Sequence, residues 1–216
     1  MGDVKAIYWF SESGFPIEKI DSKLYTHIFC GFAILNSQTN QLVISPNHQH
    51  YFSSFTPTVQ QNNPNVKTLI SIGGGGINTT AYANMASQPR TRKRFIDSSI
   101  KLARDYSFHG LDLDWEYPLD STQMANLGSL VDEWWVAVQA DCWSSCHYRE
   151  PLLLTTAVSY GPKVYGQSER SYPYLSIARS LDWNNVMAFD FYFPIRGEDA
   201  NLTRAHAALY DPNDPI

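Results

Sequence analysis

Three carboxylates stand at alternate positions in Phe108-His109-Gly110-Leu111-Asp112-Leu113-Asp114-Trp115-Glu116-Tyr117-Pro118. Successive side chains of a strand point to opposite faces, so Asp112, Asp114 and Glu116 line one face and Leu111, Leu113 and Trp115 the other. A half-buried surface strand alternates in the same way. Two features favour an interior row: helix-like patterns on both sides suggest a parallel sheet covered on both faces, and Tyr117-Pro118 reads as a strand end. Carboxylates crowded into an interior cannot all ionise cheaply, so at least one should hold its proton near neutral pH. A protonated carboxyl beside an ionised one is the acid arrangement that cleavage of a glycosidic bond requires.

Other segments carry chemistry-bearing residues. Ser71-Ile72-Gly73-Gly74-Gly75-Gly76 follows a strand-like run. It could cradle a phosphate, but no Gly-Lys-Ser/Thr ending or second spaced glycine set accompanies it. Its plain alternative is a tight turn needing positive φ. Tyr8 and Phe32 sit in the first two strand-like runs, and Met187-Ala188-Phe189-Asp190-Phe191-Tyr192 in the last.

The acid row closely resembles the D-x-D-x-E strand of glycoside hydrolase family 18, and the Phe-His-Gly before it looks like the plant class V chitinases of that family. The resemblance covers essentially the whole chain, from Tyr8-Trp9 to Ala208-Leu209-Tyr210-Asp211-Pro212. It implies an eightfold barrel and a retaining, substrate-assisted mechanism on chitin or chitooligosaccharides, with no metal or organic cofactor. By resemblance, Glu116 is the general acid, Asp114 orients the substrate's 2-acetamido group and Asp112 helps set the charge of Asp114. Residues two apart on a strand lie about 6.6 Å apart and can share one pyranose unit. Gly73 and Gly74 match the family's S-x-G-G motif. Tyr8, Phe32, Tyr117, Met187, Asp190 and Tyr192 match substrate-binding positions; Phe32 could equally be a core aromatic, whereas Tyr8, whose hydroxyl needs a partner when buried, leans towards the site.

One position departs from the family. Its M-x-Y-D pattern carries a tyrosine hydroxyl that contacts the acetamido carbonyl, and this chain has Phe189. Losing one donor to a developing oxyanion typically costs on the order of 100- to 1,000-fold in rate. Phe193-Pro194-Ile195-Arg196 also stands where class V chitinases read Gly-Pro-Gly-Trp. Strict alternation puts Phe189 and Asp190 on opposite faces, so both reach the site only if the strand breaks before Asp190.

The elements that must position these residues alternate between strand and helix. Strands are expected at Val4 to Trp9, Thr26 to Ala33, Val66 to Ile72, Gly110 to Glu116, Leu152 to Val158 and Asn185 to Tyr192. Helical stripes run from Ser121 to Ala140 and from Thr91 to Tyr106, with weaker ones at Tyr51 to Gln61 and Tyr174 to Leu181. The order gives an α/β protein with a mainly parallel sheet. Patterning alone does not separate an open sheet from a barrel, but candidate site residues at the C-terminal ends of several strands favour the barrel. No linker or repeat divides residues 1–216, so a single domain is expected. Six strands and 216 residues fall short of eight strands and about 250 residues. The expectation is an incomplete (β/α)8 TIM barrel, truncated where the family enters its seventh strand, with unpaired edges that invite self-association.

Composition excludes other classes. At 44% hydrophobic and 14% aromatic the chain can bury a substantial core, and a net charge of −5 offers nothing to nucleic acid or an anionic membrane. No apolar run approaches the roughly 18 residues of a membrane span. The Met1-Gly2 start has no export signal, and Ala6 replaces the Ser or Thr of a myristoylation site. An extracellular or vacuolar location follows only from the resemblance. Cys30 reads as a buried hydrophobe; Cys142 and Cys146, followed by His147, lack a second ligand pair for zinc and read as incidental thiols or a local bridge. Asn78-Thr79-Thr80 and Asn201-Leu202-Thr203 are glycosylation acceptors if the protein is secreted. Two further readings stay open beside the hydrolase: a chitinase-like lectin or sensor with weak or no turnover, and a fragment without independent function.

Overall fold

The computed structural model describes residues 3–144, 149–161, 171–190 and 207. Six parallel strands form one sheet in the order β1 (Ala6–Phe10), β2 (His27–Asn36), β4 (Lys67–Gly73), β5 (Gly110–Asp114), β6 (Leu153–Ser159) and β7 (Trp183–Met187); β3 (Gln41–Val43) adds antiparallel to the far end of β2. The helices are α1 (Gln49–Gln60), α2 (Thr79–Ser87), α3 (Pro89–Asp105), α4 (Ser121–Ser144) and α5 (Tyr174–Ser180). This strand-and-helix succession is the mainly parallel α/β order expected from the pattern, and it fits the incomplete barrel expected from site placement and resemblance.

Every residue of β5 is buried, because β4 and β6 pair with it on both sides and helices cover its outer face. Leu111 and Leu113 join an apolar core with Phe95, Ile96 and Ile100 of α3 and Leu127, Val131 and Trp134 of α4. Gly110 admits no side chain: a Cβ there would lie 2.7 Å from the Leu153 carbonyl oxygen and 2.9 Å from Leu69 Cδ2. α3 and α4 are also tied by charge. Buried Arg92 donates to both carboxylate oxygens of Glu133 (2.9 and 2.6 Å) and to the Ala86 carbonyl at the end of α2 (2.7 Å). That fork-on-carboxylate geometry is directional, so it fixes the two helices in register as well as together.

Several boundaries differ from the sequence reading. β5 ends at Asp114, not Glu116, because its partner β4 ends at Gly73, which pairs with Asp114. β7 runs from Trp183 to Met187 where Asn185 to Tyr192 was expected. β2 runs three residues past Ala33 into a hairpin with β3, whose loop is held by Asn36 Oδ1 accepting from the amides of Gln38 and Thr39. α2 was not anticipated: it is nine residues long and begins at Asn78, whose side chain accepts from the Ala81 amide. One of the two glycosylation triplets therefore serves as a helix cap; the other lies outside the described residues. α4 extends to Ser144 and takes in Cys142, which is buried and whose thiol donates to the Val138 carbonyl. Cys146 lies outside the described residues.

Candidate active site

Asp112 sits at the bottom of the site, fully buried, with a donor from each of four other strands. Ser71 of β4 and Thr155 of β6 are its register partners and donate hydroxyls at 2.8 Å to Oδ2 and 2.6 Å to Oδ1. The Tyr8 hydroxyl of β1 donates to Oδ2 at 3.0 Å, and the Asn185 amide of β7 to Oδ1 at 3.3 Å. Burial pushes the Asp112 carboxyl up, and the four donors offset this only in part.

Asp114 lies one strand step further out and is 6% exposed, yet its buried Oδ1 has no hydrogen-bond partner among the described residues. Burial first, then the charges of Glu116 and Asp112, push it up to about 8. The expectation that one acid of the row keeps its proton near neutral pH is met by Asp114. Burial also raises the Tyr8 hydroxyl, with the Asp112 charge adding to it, so Tyr8 stays a donor.

Glu116 stands beyond the strand in a bend, and Thr79 of α2 pins the residues on either side of it. Thr79 Oγ1 accepts from the Trp115 indole at 3.2 Å and donates to the Tyr117 carbonyl at 3.0 Å. Trp115 is thereby turned away from the acids and packs against Tyr82. The Tyr117 hydroxyl is hydrogen-bonded to Glu116 and is raised by burial and by that carboxylate.

The glycines explain how β4 and β5 approach each other. Gly73 has φ +111°, and a Cβ there would meet the Asp114 carbonyl oxygen at 2.2 Å. The Gly74 amide donates to that same oxygen at 2.9 Å, and a Cβ on Gly74 would press on the Phe32 ring at 3.0 Å. Both therefore serve the wall from beneath. Gly75 is the glycine that reaches the opening, 3.6 Å from Glu116 Oε1 measured from its ideal Cβ. The peptide bonds Gly31–Phe32 and Glu116–Tyr117 are cis.

Above the acids lies a cleft of about 840 Å³. Of the sequence candidates it is lined by Tyr8, Phe32, Asp114, Glu116, Tyr117, Met187, Phe189 and Asp190. Phe189 and Asp190 share it because β7 ends at Met187 and Asp190 takes a left-handed φ of 58°, so strand alternation no longer applies to them. Tyr192 and the Phe193–Arg196 segment lie outside the described residues. Residues not singled out from sequence include Asn185, Ser159 and Tyr160 in the cleft wall and Thr155 and Thr79 behind it. Asn185 had no local signal: β7 reads Trp-Asn-Asn-Val-Met, with a second asparagine beside it and no fully buried residue. Thr79 had none, because α2 itself was not seen.

Comparison with known proteins agrees with this geometry. Residues 4–215 match the family described as Glycosyl hydrolases family 18. A class V chitinase of Arabidopsis thaliana is 55% identical over 211 residues, which are 98% of this chain and 54% of that protein. A class V chitinase from Nicotiana tobaccum, solved in complex with NAG4, superposes with a TM-score of 0.90 at 54% identity, over 98% of this chain and 59% of the other. A chitinase-like agglutinin from Robinia pseudoacacia gives 0.88 at 44% identity, over 98% and 61%. The chain spans about half the length of the curated relatives it matches. Acid row, glycine turn and parallel strands together place the chain in glycosyl hydrolase family 18.

Proposed function

We propose that the cleft binds chains of β-1,4-linked N-acetylglucosamine and that the protein hydrolyses them by a retaining, substrate-assisted route. The observation that carries this is the graded acid row: Asp112 buried among four donors, Asp114 pushed up to about 8, and Glu116 at the cleft wall. In this reading Glu116 protonates the glycosidic oxygen. The Asp114 carboxyl accepts from the acetamido N–H as that group's carbonyl oxygen attacks the anomeric carbon, and water then opens the oxazolinium with retention. Substrate assistance is a known departure from the two-carboxylate scheme. Tyr8, Phe32, Tyr117, Met187, Phe189 and Asp190 would shape the sugar site, and Tyr192 stays a substrate-binding candidate by resemblance alone; no step calls for a metal or organic cofactor. The described elements act as one domain in this reading, supported by a single contiguous apolar core.

The test is Glu116→Gln, made in this chain and in this chain extended with the C-terminal part of a class V relative, with hydrolysis and binding of chitotetraose measured side by side. Loss of at least about 100-fold in rate with binding retained supports the assignment. A variant that keeps more than about a tenth of the rate overturns it.

A second reading, carbohydrate binding with little turnover, is favoured by one observation. Phe189 brings a ring but no hydroxyl to the cleft. Tight binding of chitotetraose by a wild-type protein that does not cleave it would decide for this reading.

Two coarser inferences accompany the first. Among the described residues β1 and β7 do not pair with each other, and Phe10 and Val186 on them are exposed, which supports self-association along these edges. A sedimentation coefficient that does not change with concentration would rule that out. No helix among the described residues is long and apolar enough to cross a membrane. An extracellular or vacuolar location is carried by family resemblance.

A further inference from the structure

The floor of the site contains a side-chain chain that the acid-row reading leaves unused. Trp183 Nε1 donates to Asn185 Oδ1 at 3.0 Å. An indole nitrogen is a donor only, so the atom it faces must be the amide oxygen. The amide nitrogen of Asn185 is then turned the other way, and it donates to the Tyr8 hydroxyl oxygen at 2.9 Å and to Asp112 Oδ1 at 3.3 Å. The Tyr8 oxygen accepts a hydrogen bond from Asn185, so its own O–H is directed to Asp112 Oδ2 at 3.0 Å. Two of the four contacts on Asp112 are thereby fixed as donors by an indole two residues away on the same strand.

We propose that Trp183 and Asn185 are a positioning pair that keeps Asp112 ionised and so places the proton of the buried carboxyl pair on Asp114. Burial acts on both carboxyls, but the donors act on Asp112 alone, whereas Asp114 has a buried oxygen with no partner among the described residues. The titratable groups facing Asp112 are Tyr8 from β1 and Asp114 from its own strand; Ser71 of β4, Thr155 of β6 and Asn185 of β7 are neutral, and Glu116 lies beyond Asp114. None of them supplies a positive charge, so orientation of neutral donors is what holds the negative one. If the Asn185 amide turned over, its carbonyl would face Asp112 and the Tyr8 hydroxyl, and the preference would pass to a protonated Asp112. The consequence for catalysis rests on the proposed hydrolytic reading, since only there does Asp114 face the acetamido group of a substrate. The placement of the proton does not rest on it.

The experiment reads the carboxyl groups directly and uses no substrate. Carbon-13 carboxyl shifts of Asp112 and Asp114 are followed by NMR between pH 4 and pH 9 in the wild-type chain, in Asn185→Leu and in Trp183→Phe. In the wild type Asp112 should be ionised across the upper part of this range while Asp114 still titrates. In both variants the Asp112 step should move up by about one unit or more, because donors to the charged form have been lost or misdirected. An Asp112 that holds its proton longer than Asp114 in the wild type overturns the proposal, and that measurement needs no variant. So does a Trp183→Phe protein that titrates like wild type, and this variant decides alone if Asn185→Leu does not fold. Failure of chitotetraose hydrolysis with the expected titrations would overturn the hydrolytic reading and leave the proton placement standing.

Discussion

The Tyr8 hydroxyl on β1 lies 2.9 Å from the Asn185 amide nitrogen on β7, so the two terminal strands of the parallel sheet meet through side chains although their backbones do not pair. His27 on β2 and Trp183 on β7 approach in the same way, ring centroids 4.7 Å apart and inclined at 63°. The sheet is thus curled until its ends touch across the interior, and the contact is polar at Asp112. Among the described residues the backbones of β1 and β7 are not paired with each other, as expected, and side chains bridge them.

Tyr8→Phe tests that bridge. The ring stacks on Phe29 at 4.3 Å and would be retained, while both hydroxyl contacts would go. Asp112 loses a donor in a buried setting, so stability should fall by about 1.5–3 kcal/mol, the usual worth of a hydrogen bond to a charged group. Urea unfolding monitored by tryptophan fluorescence measures it. A loss below about 0.5 kcal/mol would mean that the bridge contributes nothing to folding.

Gly73→Ala should be costly for a backbone reason. The new methyl would sit 2.2 Å from the Asp114 carbonyl oxygen at a φ of +111°. Neither strand can retreat, because Gly73 and Asp114 are register partners. Overpacking together with the unfavourable backbone region should cost about 3–5 kcal/mol, and the same substitution at Gly76, where a Cβ meets nothing, about 1–2 kcal/mol. Equal urea midpoints for the two variants would sink this account.

Stability should depend on pH through Asp114. Its carboxyl is pushed up to about 8 in the folded chain, against about 3.9 when unfolded. Between these values the folded state holds a proton that the unfolded state has released, so the unfolded state gains as pH rises. The contribution is fully present below about pH 4 and is lost progressively as pH climbs through about 8. Asp114→Asn removes this dependence. It should melt at a higher temperature than wild type at pH 8.5 and at nearly the same temperature at pH 3.5, where Asp114 is largely protonated in both the folded and the unfolded state. A wild-type advantage that grows with pH would contradict the assigned shift.

The sequence made the acid row legible because strand alternation needs only residue types and a period of two. Asp112 and Asp114 fall where that rule puts them, and the parallel order of six strands follows from the same kind of pattern. The rule failed at Glu116 and at the end of β7, where the ladder had ended. Neither Gly73 as the last paired residue of β4 nor Thr79 as the clamp on Trp115 and Tyr117 can be read from a local period. Asn185 was missed for a related reason: its partners Tyr8 and Asp112 lie 177 and 73 residues away, and only the closing of the sheet brings them together.

Phe189→Tyr addresses the one departure within the cleft. Phe189 lines the wall beside Met187 and Asp190 and is 44% exposed, so a hydroxyl added at the ring tip meets an open cleft rather than packed core. In this chain extended with the C-terminal part of a class V relative, turnover of chitotetraose should rise by about 10- to 100-fold, below the full worth of an evolved oxyanion donor. Affinity for uncleaved substrate should change less than about threefold, because the new contact strengthens only as the acetamido oxygen attacks. The two numbers must be measured together. A gain in affinity without a gain in rate would show that the hydroxyl meets the resting sugar, and an unchanged rate would show that another group already serves the developing charge.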